Sequence, residues 1–170
     1  MVLCNAENFN KICQSIQIKD PKKIDIKKIP VLLNQTHDGS VPGFYSSLVG
    51  IVTKENKQHL LGSSPEEKAF VRQWLDYAVT TVNYVDLPNV SRQVLKDINV
   101  TLGDRTFLAG NVQSLADIVL YHLLFKAVSN LTLQEKEQFL HLSRWYNNLQ
   151  QDSNIRGSNS TLTFSRTLLF

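Results

Sequence analysis

The chain has 170 residues, of which 42% are hydrophobic and 19% are charged; this composition excludes a disordered protein and fits one sizeable domain or two small ones. The net charge of +3 is too small by itself to indicate nucleic-acid binding. No stretch approaches the roughly 18 apolar residues of a membrane span, so we expect no membrane association.

The N-terminal segment MVLCNAENFNKIC lacks the basic and apolar regions of a signal peptide, which predicts a cytoplasmic protein with reduced thiols. The two cysteines, Cys4 and Cys13, do not resemble a metal site, which needs more ligands. Apolar residues at helical spacing predict a first helix over roughly Ala6 to Ile16, with an inner face of Phe9, Ile12, Cys13 and Ile16.

The most basic stretch contains five lysines: Lys19, Lys22, Lys23, Lys27 and Lys28. Two aspartates interrupt it, and no aromatic residue is interleaved for base stacking. We therefore expect no direct contact with nucleic acid, and tRNA binding remains an alternative that predicts a steep loss of affinity with salt.

Up to about Asn56 the predicted elements are short and mixed. The apolar run KIPVLLN (Lys28 to Asn34) reads as a strand, and Asp38-Gly39 after it is a hairpin-turn signal. The segment FYSSLVGIVTKEN predicts a helix, because its apolar residues lie on one face: Phe44, Leu48, Ile51 and Val52.

From Ser64 onward every predicted element is a helix. Ser64 followed by Pro65, Glu66 and Glu67 is a strong helix start, and Pro88 is expected to end that helix. Its apolar stripe consists of Phe70, Val71, Trp74, Leu75, Ala78, Val82 and Val85. The next helix is predicted from about Ser91 to Leu102, where Gly103-Asp104 stops it.

A central helix is predicted from Ser114 to about Ser129, because that stretch is apolar nearly all round. Asp117 at its start could be a catalytic group, a ligand or a cap. The spacing favours a cap, in which Asp117 accepts the backbone N–H of Ser114. Thr132 and Glu135 form a second capping pair, and the Ser/Asn-rich tail beyond Ser153 is weakly periodic.

Two motifs resemble the glutathione-transferase family. KIPVL resembles its Val-Pro-Val-Leu motif, which implies a cis bond before Pro30, and TFLAGNVQSLADIVL resembles the segment at the start of its buried helix. The resemblance implies an α+β fold, with a truncated thioredoxin-like domain over residues 1–56 and an all-helical domain over residues 65–170.

Four further segments narrow the resemblance: GSSPEEKAFVRQWLDY, VLKDINVTL, SLADIVLY and LTLQEKEQFLHLSRWYNNLQ. From roughly Ile29 to Ile155 the chain is similar to the small transferase-like auxiliary subunits of the animal multi-tRNA-synthetase complex, the epsilon-type component of elongation factor 1. This family implies a scaffold that docks onto methionyl-tRNA synthetase and links it to the glutamyl-prolyl enzyme. DNA-damage signalling, and with it a nuclear location, is also attributed to the family.

The alternative is a glutathione-dependent enzyme with a cysteine-type site at Cys4. The family's glutathione-binding pair is matched here by Gly43-Phe44, and neither side chain can bind a carboxylate. The four histidines are scattered, without the spacing of metal ligands. We therefore expect a non-catalytic protein without cofactor or metal.

A scaffold acts through its surface, and the resemblance implies two contact surfaces. The first lies on the helix after the hairpin and the next long helix, with the candidates Tyr45, Leu48, Val49, Lys68, Arg72 and Asp76. The second is centred on Arg144, because the planar guanidinium pairs with carboxylates and arginine is enriched at interface hot spots.

Overall fold

The computed structural model of the chain describes residues 2–3, 6–17 and 44–164. In chain order the helices are α1 (Ala6–Ser15), α2 (Phe44–Lys54), α3 (Pro65–Thr80), α4 (Pro88–Thr101), α5 (Leu115–Ser129), α6 (Leu133–Gln138), α7 (Leu140–Gln151) and α8 (Ser153–Arg156). Short 3₁₀ helices at Gln58–Leu61 and Val82–Tyr84 lie on either side of α3.

The prediction of an α+β fold is wrong. The regular structure of the described residues is all helical, apart from one isolated bridge between Phe107 and Gly110. The N-terminal helices α1 and α2 bury their apolar faces directly on α5 and α3, instead of forming a thioredoxin-like layer. The predicted strand, the Asp38-Gly39 turn, the cis bond at Pro30 and the lysine cluster lie outside the described residues.

The centre of the molecule is α5, as the sequence predicted. Every residue from Leu115 to Leu124 is buried, because the helix contacts α1 on one side and α3 on another. The described parts of residues 1–56 and 65–170 contribute to one hydrophobic cluster, so the division into two domains stays a prediction. None of the described helices is both long enough and apolar enough to cross a bilayer.

The predicted start of α3 is confirmed. Ser64 is its N-cap, with Pro65 in the first turn, and the Ser64 hydroxyl accepts the Glu67 N–H at 3.1 Å. In return the Glu67 carboxylate accepts the N–H groups of Ser63 and Ser64, at 2.7 and 3.3 Å. This reciprocal capping fixes where the helix begins.

Gly62 makes that start possible. Its φ is +97°, and a Cβ there would lie 2.7 Å from the Glu67 Cβ. Because both the backbone conformation and the space require glycine, we expect Gly62→Ala to lower the free energy of unfolding by about 2 kcal/mol, measured by denaturant titration. Gly50→Ala is the matched control: it lies in α2 with open space around it, and we expect no loss of stability. Equal effects of the two changes would contradict this account.

The end of α3 departs from the prediction that Pro88 stops it. The helix ends at Thr80, and Asn83 in the 3₁₀ helix that follows binds the N-terminal residues. Its backbone carbonyl accepts the Val2 N–H at 2.8 Å, and its side-chain oxygen accepts the Leu3 N–H at 2.9 Å. Pro88 instead begins α4, where a missing N–H costs nothing.

The last predicted helix is split in two at Phe139, between α6 and α7. The Asn99 side chain, on α4, accepts the N–H groups of His141 and Leu142 at 3.0 and 3.1 Å. It therefore caps the start of α7 from a neighbouring helix and satisfies donors that a continuous helix would have used internally.

Candidate functional site

Asp117 lies at the start of α5 and is fully buried. Its Oδ2 accepts the Ser114 N–H at 2.8 Å and the Ser114 hydroxyl at 2.6 Å. Its Oδ1 accepts the Leu108 N–H at 3.0 Å and the Trp145 indole N–H at 2.8 Å. The carboxylate therefore joins three parts of the chain: the loop before α5, the start of α5, and α7.

The chemistry of this carboxylate is structural. Burial raises the pKa of the Asp117 carboxyl, and the four hydrogen bonds oppose that rise. The carboxylate has no exposed surface, and each of the donors around it is hydrogen-bonded to it. It therefore caps α5 and connects the three segments, and it is not placed to exchange protons with a substrate.

His122 forms a second buried polar cluster, one and a half turns further along α5. Its Nε2 lies 2.7 Å from the Ser15 hydroxyl, which donates to the Ile155 carbonyl at 3.1 Å. Its Nδ1 lies 3.3 Å from the Asn159 Nδ2. These contacts assign the proton to Nε2, because Asn159 can only donate at that position and the Ser15 proton is already used.

The His122 cluster connects α1, α5 and the C-terminal tail, and it is not arranged for catalysis. Burial, and to a lesser degree the nearby Lys11 ammonium, lowers the pKa of His122 to about 4. The imidazole is therefore neutral near pH 7, and both of its ring nitrogens have partners.

Five of the six residues predicted for the first contact surface are accessible. The Arg72 guanidinium carbon lies 5.4 Å from the centre of the Tyr45 ring, and Arg72 Nε is 3.8 Å from the Asp76 carboxylate. Val49 is half-buried and Lys68 is exposed. Leu48 is fully buried, so it belongs to the core and not to this surface.

Arg144, the centre of the second predicted surface, is exposed, but its guanidinium also hydrogen-bonds backbone groups of its own chain. Its Nη2 donates to the carbonyls of Leu102 and Arg105, both at 2.8 Å. These carbonyls belong to the end of α4 and the loop after it, so Arg144 holds that loop against α7. Its Nη1 and Nε groups make no hydrogen bond to the described residues.

Sequence reasoning missed the polar residues that connect distant parts of the chain, among them Asn99, Lys136 and Gln150. Each bonds a backbone group that lies between 12 and 43 positions away. Helical periodicity carries no information on such contacts. The one available signal is a polar residue on an otherwise inward face, as Gln150 is beside Leu149 at the end of α7.

The residues considered for glutathione chemistry are only partly described. Phe44 begins α2 with its side chain buried, while Gly43 and Cys4 lie outside the described residues. Cys13 is buried, as predicted, and burial raises the pKa of its thiol to about 12, so that it carries no thiolate near pH 7. The described residues contain no cluster of three side chains that could hold a metal ion.

A cleft of about 1010 Å³ lies between α1, the first half of α4, the end of α5 and α6. Its rim carries charged side chains of both signs: Lys11, Arg92, Lys96, Lys126, Glu7, Asp86 and Glu135. Four of these side chains form two ion pairs: Glu7 with Lys11 at 2.9 Å, and Arg92 with Glu135 at 3.8 Å. The rim therefore selects neither an anion nor a cation.

Comparison with known proteins gives consistent matches. A family model described as the nuclear-export cofactor Arc1p matches residues 67–153. Eukaryotic translation elongation factor 1 epsilon-1 of Mus musculus and that of Homo sapiens are each 41% identical over 145 residues, which is 85% of this chain and 82% of the relative. Elongation factor 1-gamma 1 of Oryza sativa subsp. japonica is 26% identical over 177 residues, 89% of this chain and 41% of the relative.

Proposed function

Because the chain belongs to the family of eukaryotic translation elongation factor 1 epsilon-1, we propose that it is a non-catalytic adaptor of translation that docks onto aminoacyl-tRNA synthetases. The partners are the transferase-like domains of methionyl-tRNA synthetase and of glutamyl-prolyl-tRNA synthetase. The observation that carries the proposal is the 41% identity over 82% of the relative's length. The buried polar groups of the described residues fit it, because they tie helices together.

The first contact surface lies across α2 and α3 and is assigned to the methionyl enzyme. The Arg72 guanidinium lies over the ring of Tyr45, and tyrosine and arginine are both enriched at hot spots, where they give large contact area and directional bonds. Asp76 lies one turn further along the helix, with its carboxylate 3.8 Å from Arg72 Nε, and this exposed pair adds a weak attraction on the same surface.

The second contact surface is centred on Arg144 and is assigned to the glutamyl-prolyl enzyme. The two bonds from Nη2 fix the plane of the guanidinium before any partner arrives. A fixed guanidinium suits a carboxylate of the partner, since its remaining donors, on Nη1 and Nε, already point in set directions and each can give a charge-assisted hydrogen bond.

The direct test is calorimetry with the purified transferase-like domain of methionyl-tRNA synthetase. We expect a binding isotherm with a dissociation constant below tens of micromolar. An absence of heat at that concentration, with both proteins folded, would contradict the proposal. Retention on glutathione-agarose together with turnover of a chlorinated aromatic substrate would contradict its non-catalytic part.

The two surfaces predict opposite effects for two charge reversals. We expect Arg144→Glu to abolish binding of the glutamyl-prolyl domain and to spare the methionyl domain, and Arg72→Glu to do the reverse. Each change is the other's control, measured by calorimetry with both domains. Arg144→Glu also removes two internal hydrogen bonds, so we expect a loss of about 1–2 kcal/mol in unfolding free energy. Loss of both partners in one variant would make that arginine a structural residue only.

The proposal places the protein in the cytoplasm, with a nuclear fraction that serves DNA-damage signalling. Its support is the family and the match to a model described as a nuclear-export cofactor. Fractionation of cells before and after DNA damage tests it: a nuclear fraction that does not change would contradict the nuclear part and leave the adaptor role standing.

A further inference from the structure

After α8 and a turn that holds the buried Asn159, the chain lies on the surface of the helices as a strap, residues 160–164. Gly157 turns the chain with a φ of +53°, and no helix follows it up to residue 164. Ser160, Thr161 and Thr163 are exposed, while Leu162 and Phe164 are half-buried. The strap therefore lies with one side against the helices and the other in solvent.

The helices recognise the backbone of the strap. The buried side-chain amide of Gln150 accepts the Leu162 N–H at 2.9 Å and donates to the Leu162 carbonyl at 2.8 Å. This is the two-bond pairing that one residue makes with its partner in an antiparallel sheet, here made by a side chain. Asn147 accepts a further bond from the Gln150 amide at 2.8 Å and so orients it.

Lys136 and Tyr146 complete this contact, and together with Gln150 they form what we call the tail groove. The buried Lys136 ammonium donates to the Thr163 carbonyl at 3.0 Å and lies 5.2 Å from the centre of the Phe164 ring. That ring is also 5.8 Å from the ring of Tyr146. A buried ammonium is costly unless it is paired, and two of its partners here belong to the strap.

We propose that the tail groove is a binding site for an extended peptide, that the strap occupies it as an internal ligand, and that an extended segment of a partner protein can replace the strap. Two of the three features that hold the strap are contacts to its backbone, so they do not depend on its sequence. The third feature is the contact of the Phe164 ring with Lys136 and Tyr146. It requires an aromatic residue two positions after the residue that pairs with Gln150. The fitting partner is therefore an extended segment with an apolar residue followed, two positions later, by an aromatic one.

Exchange is compatible with the fold, because the strap covers the helices and does not complete their core. Among the described residues its backbone bonds to side chains of α6 and α7, and three of its residues, Ser160, Thr161 and Thr163, are exposed. Breaking them leaves the hydrophobic cluster around α5 in place.

The test uses the full chain and a fluorescent peptide with the sequence of residues 158–164, followed by polarisation. Leu162→Pro in the full chain removes the N–H that Gln150 accepts and weakens the internal ligand without changing the groove. We expect this variant to bind the peptide at least about tenfold more tightly than the unaltered chain, since one lost pairing is worth about that factor. Equal or absent binding to both chains would overturn the proposal.

A matched pair of second changes locates the peptide. In the Leu162→Pro chain, Gln150→Ala is expected to abolish the gain, whereas Gln151→Ala, at the exposed neighbouring glutamine, is expected to keep it. A peptide with alanine in place of the phenylalanine is expected to bind at least about tenfold more weakly. Equal effects of the two glutamine changes would overturn the assignment of the groove.

Hydrogen exchange of the Leu162 N–H can be measured in the unaltered chain, so this test does not depend on whether the variants fold. The Leu162 N–H is expected to exchange faster when excess unlabelled peptide is added, because the peptide takes its place on Gln150. An exchange rate that stays the same under saturating peptide would overturn the proposal.

Discussion

Asp117→Ala is expected to cost at least about 4 kcal/mol of the free energy of unfolding, the largest effect of any single substitution considered. The change strands four donors in the interior: two backbone N–H groups, the Ser114 hydroxyl and the Trp145 indole N–H. Each unpaired buried donor costs about 1–3 kcal/mol, and partial relaxation of the loop recovers only some of that. Chemical denaturation followed by tryptophan fluorescence measures the loss, since Trp145 reports on the site itself.

Two further variants separate the hydrogen bonds from the mere presence of a carboxylate. Asp117→Asn keeps the shape and one acceptor oxygen but turns an NH₂ group toward two donors, so we expect roughly half the loss seen with alanine. Asp104→Ala removes an exposed aspartate after α4, and we expect a change within about 0.5 kcal/mol. Normal stability of Asp117→Ala would show that the carboxylate does not hold the three segments together.

Asp117 also shows how far the sequence could predict this structure. The contact with Ser114 was predictable, because the two residues are three positions apart at a helix start, as are Ser64 with Glu67 and Thr132 with Glu135. The contact with Trp145 was not, since 28 positions separate the residues and no local pattern relates them. For the same reason the sequence suggested a cap worth about 1 kcal/mol and not the junction of three segments.

The errors have a physical pattern as well. Leu48 was placed on a partner surface through the family resemblance, although its spacing from Phe44 and Val52 puts it on the inner face of α2, where it is buried. The interface role of Arg144 came from the resemblance and the residue type, and it stays a prediction. Its bonds to the carbonyls of Leu102 and Arg105 could not be predicted, because they depend on how α4 and α7 pack. The α+β class rested on a short apolar run and on the resemblance, and the N-terminal helices pack into the helical core instead.

Acidification should destabilise the protein through His122 between pH 6.5 and about 4. Burial lowers the pKa of His122 from its ordinary value of 6.5 to about 4, with a smaller contribution from Lys11. Above pH 6.5 the imidazole is neutral in both the folded and the unfolded chain, so it contributes nothing to the pH dependence. As the pH falls below 6.5, His122 takes up a proton in the unfolded chain but not in the folded chain. The free energy of unfolding therefore falls by about 3 kcal/mol in all. Below about pH 4 both states are protonated and the loss stops.

The folded chain does not protonate His122 in this pH range because both ring nitrogens already have hydrogen-bond partners. A second proton would appear on Nδ1, facing the Asn159 amide that already points a donor at it, in a cluster that also joins Ser15 of α1 to the Ile155 carbonyl. The unfolding free energy, measured by urea titration at a series of pH values, is expected to depend much less on pH in His122→Gln, because glutamine stays uncharged throughout. His59→Gln, at an exposed histidine, is the control that should keep the pH dependence. Glu7 and Glu135 have lowered pKa values, through Lys11 and Thr132, and their losses come mainly below pH 4.5, the ordinary glutamate value. A His122→Gln profile parallel to that of the unaltered chain between pH 6.5 and 4.5 would show that the imidazole is charged, or exposed to water, in the folded protein.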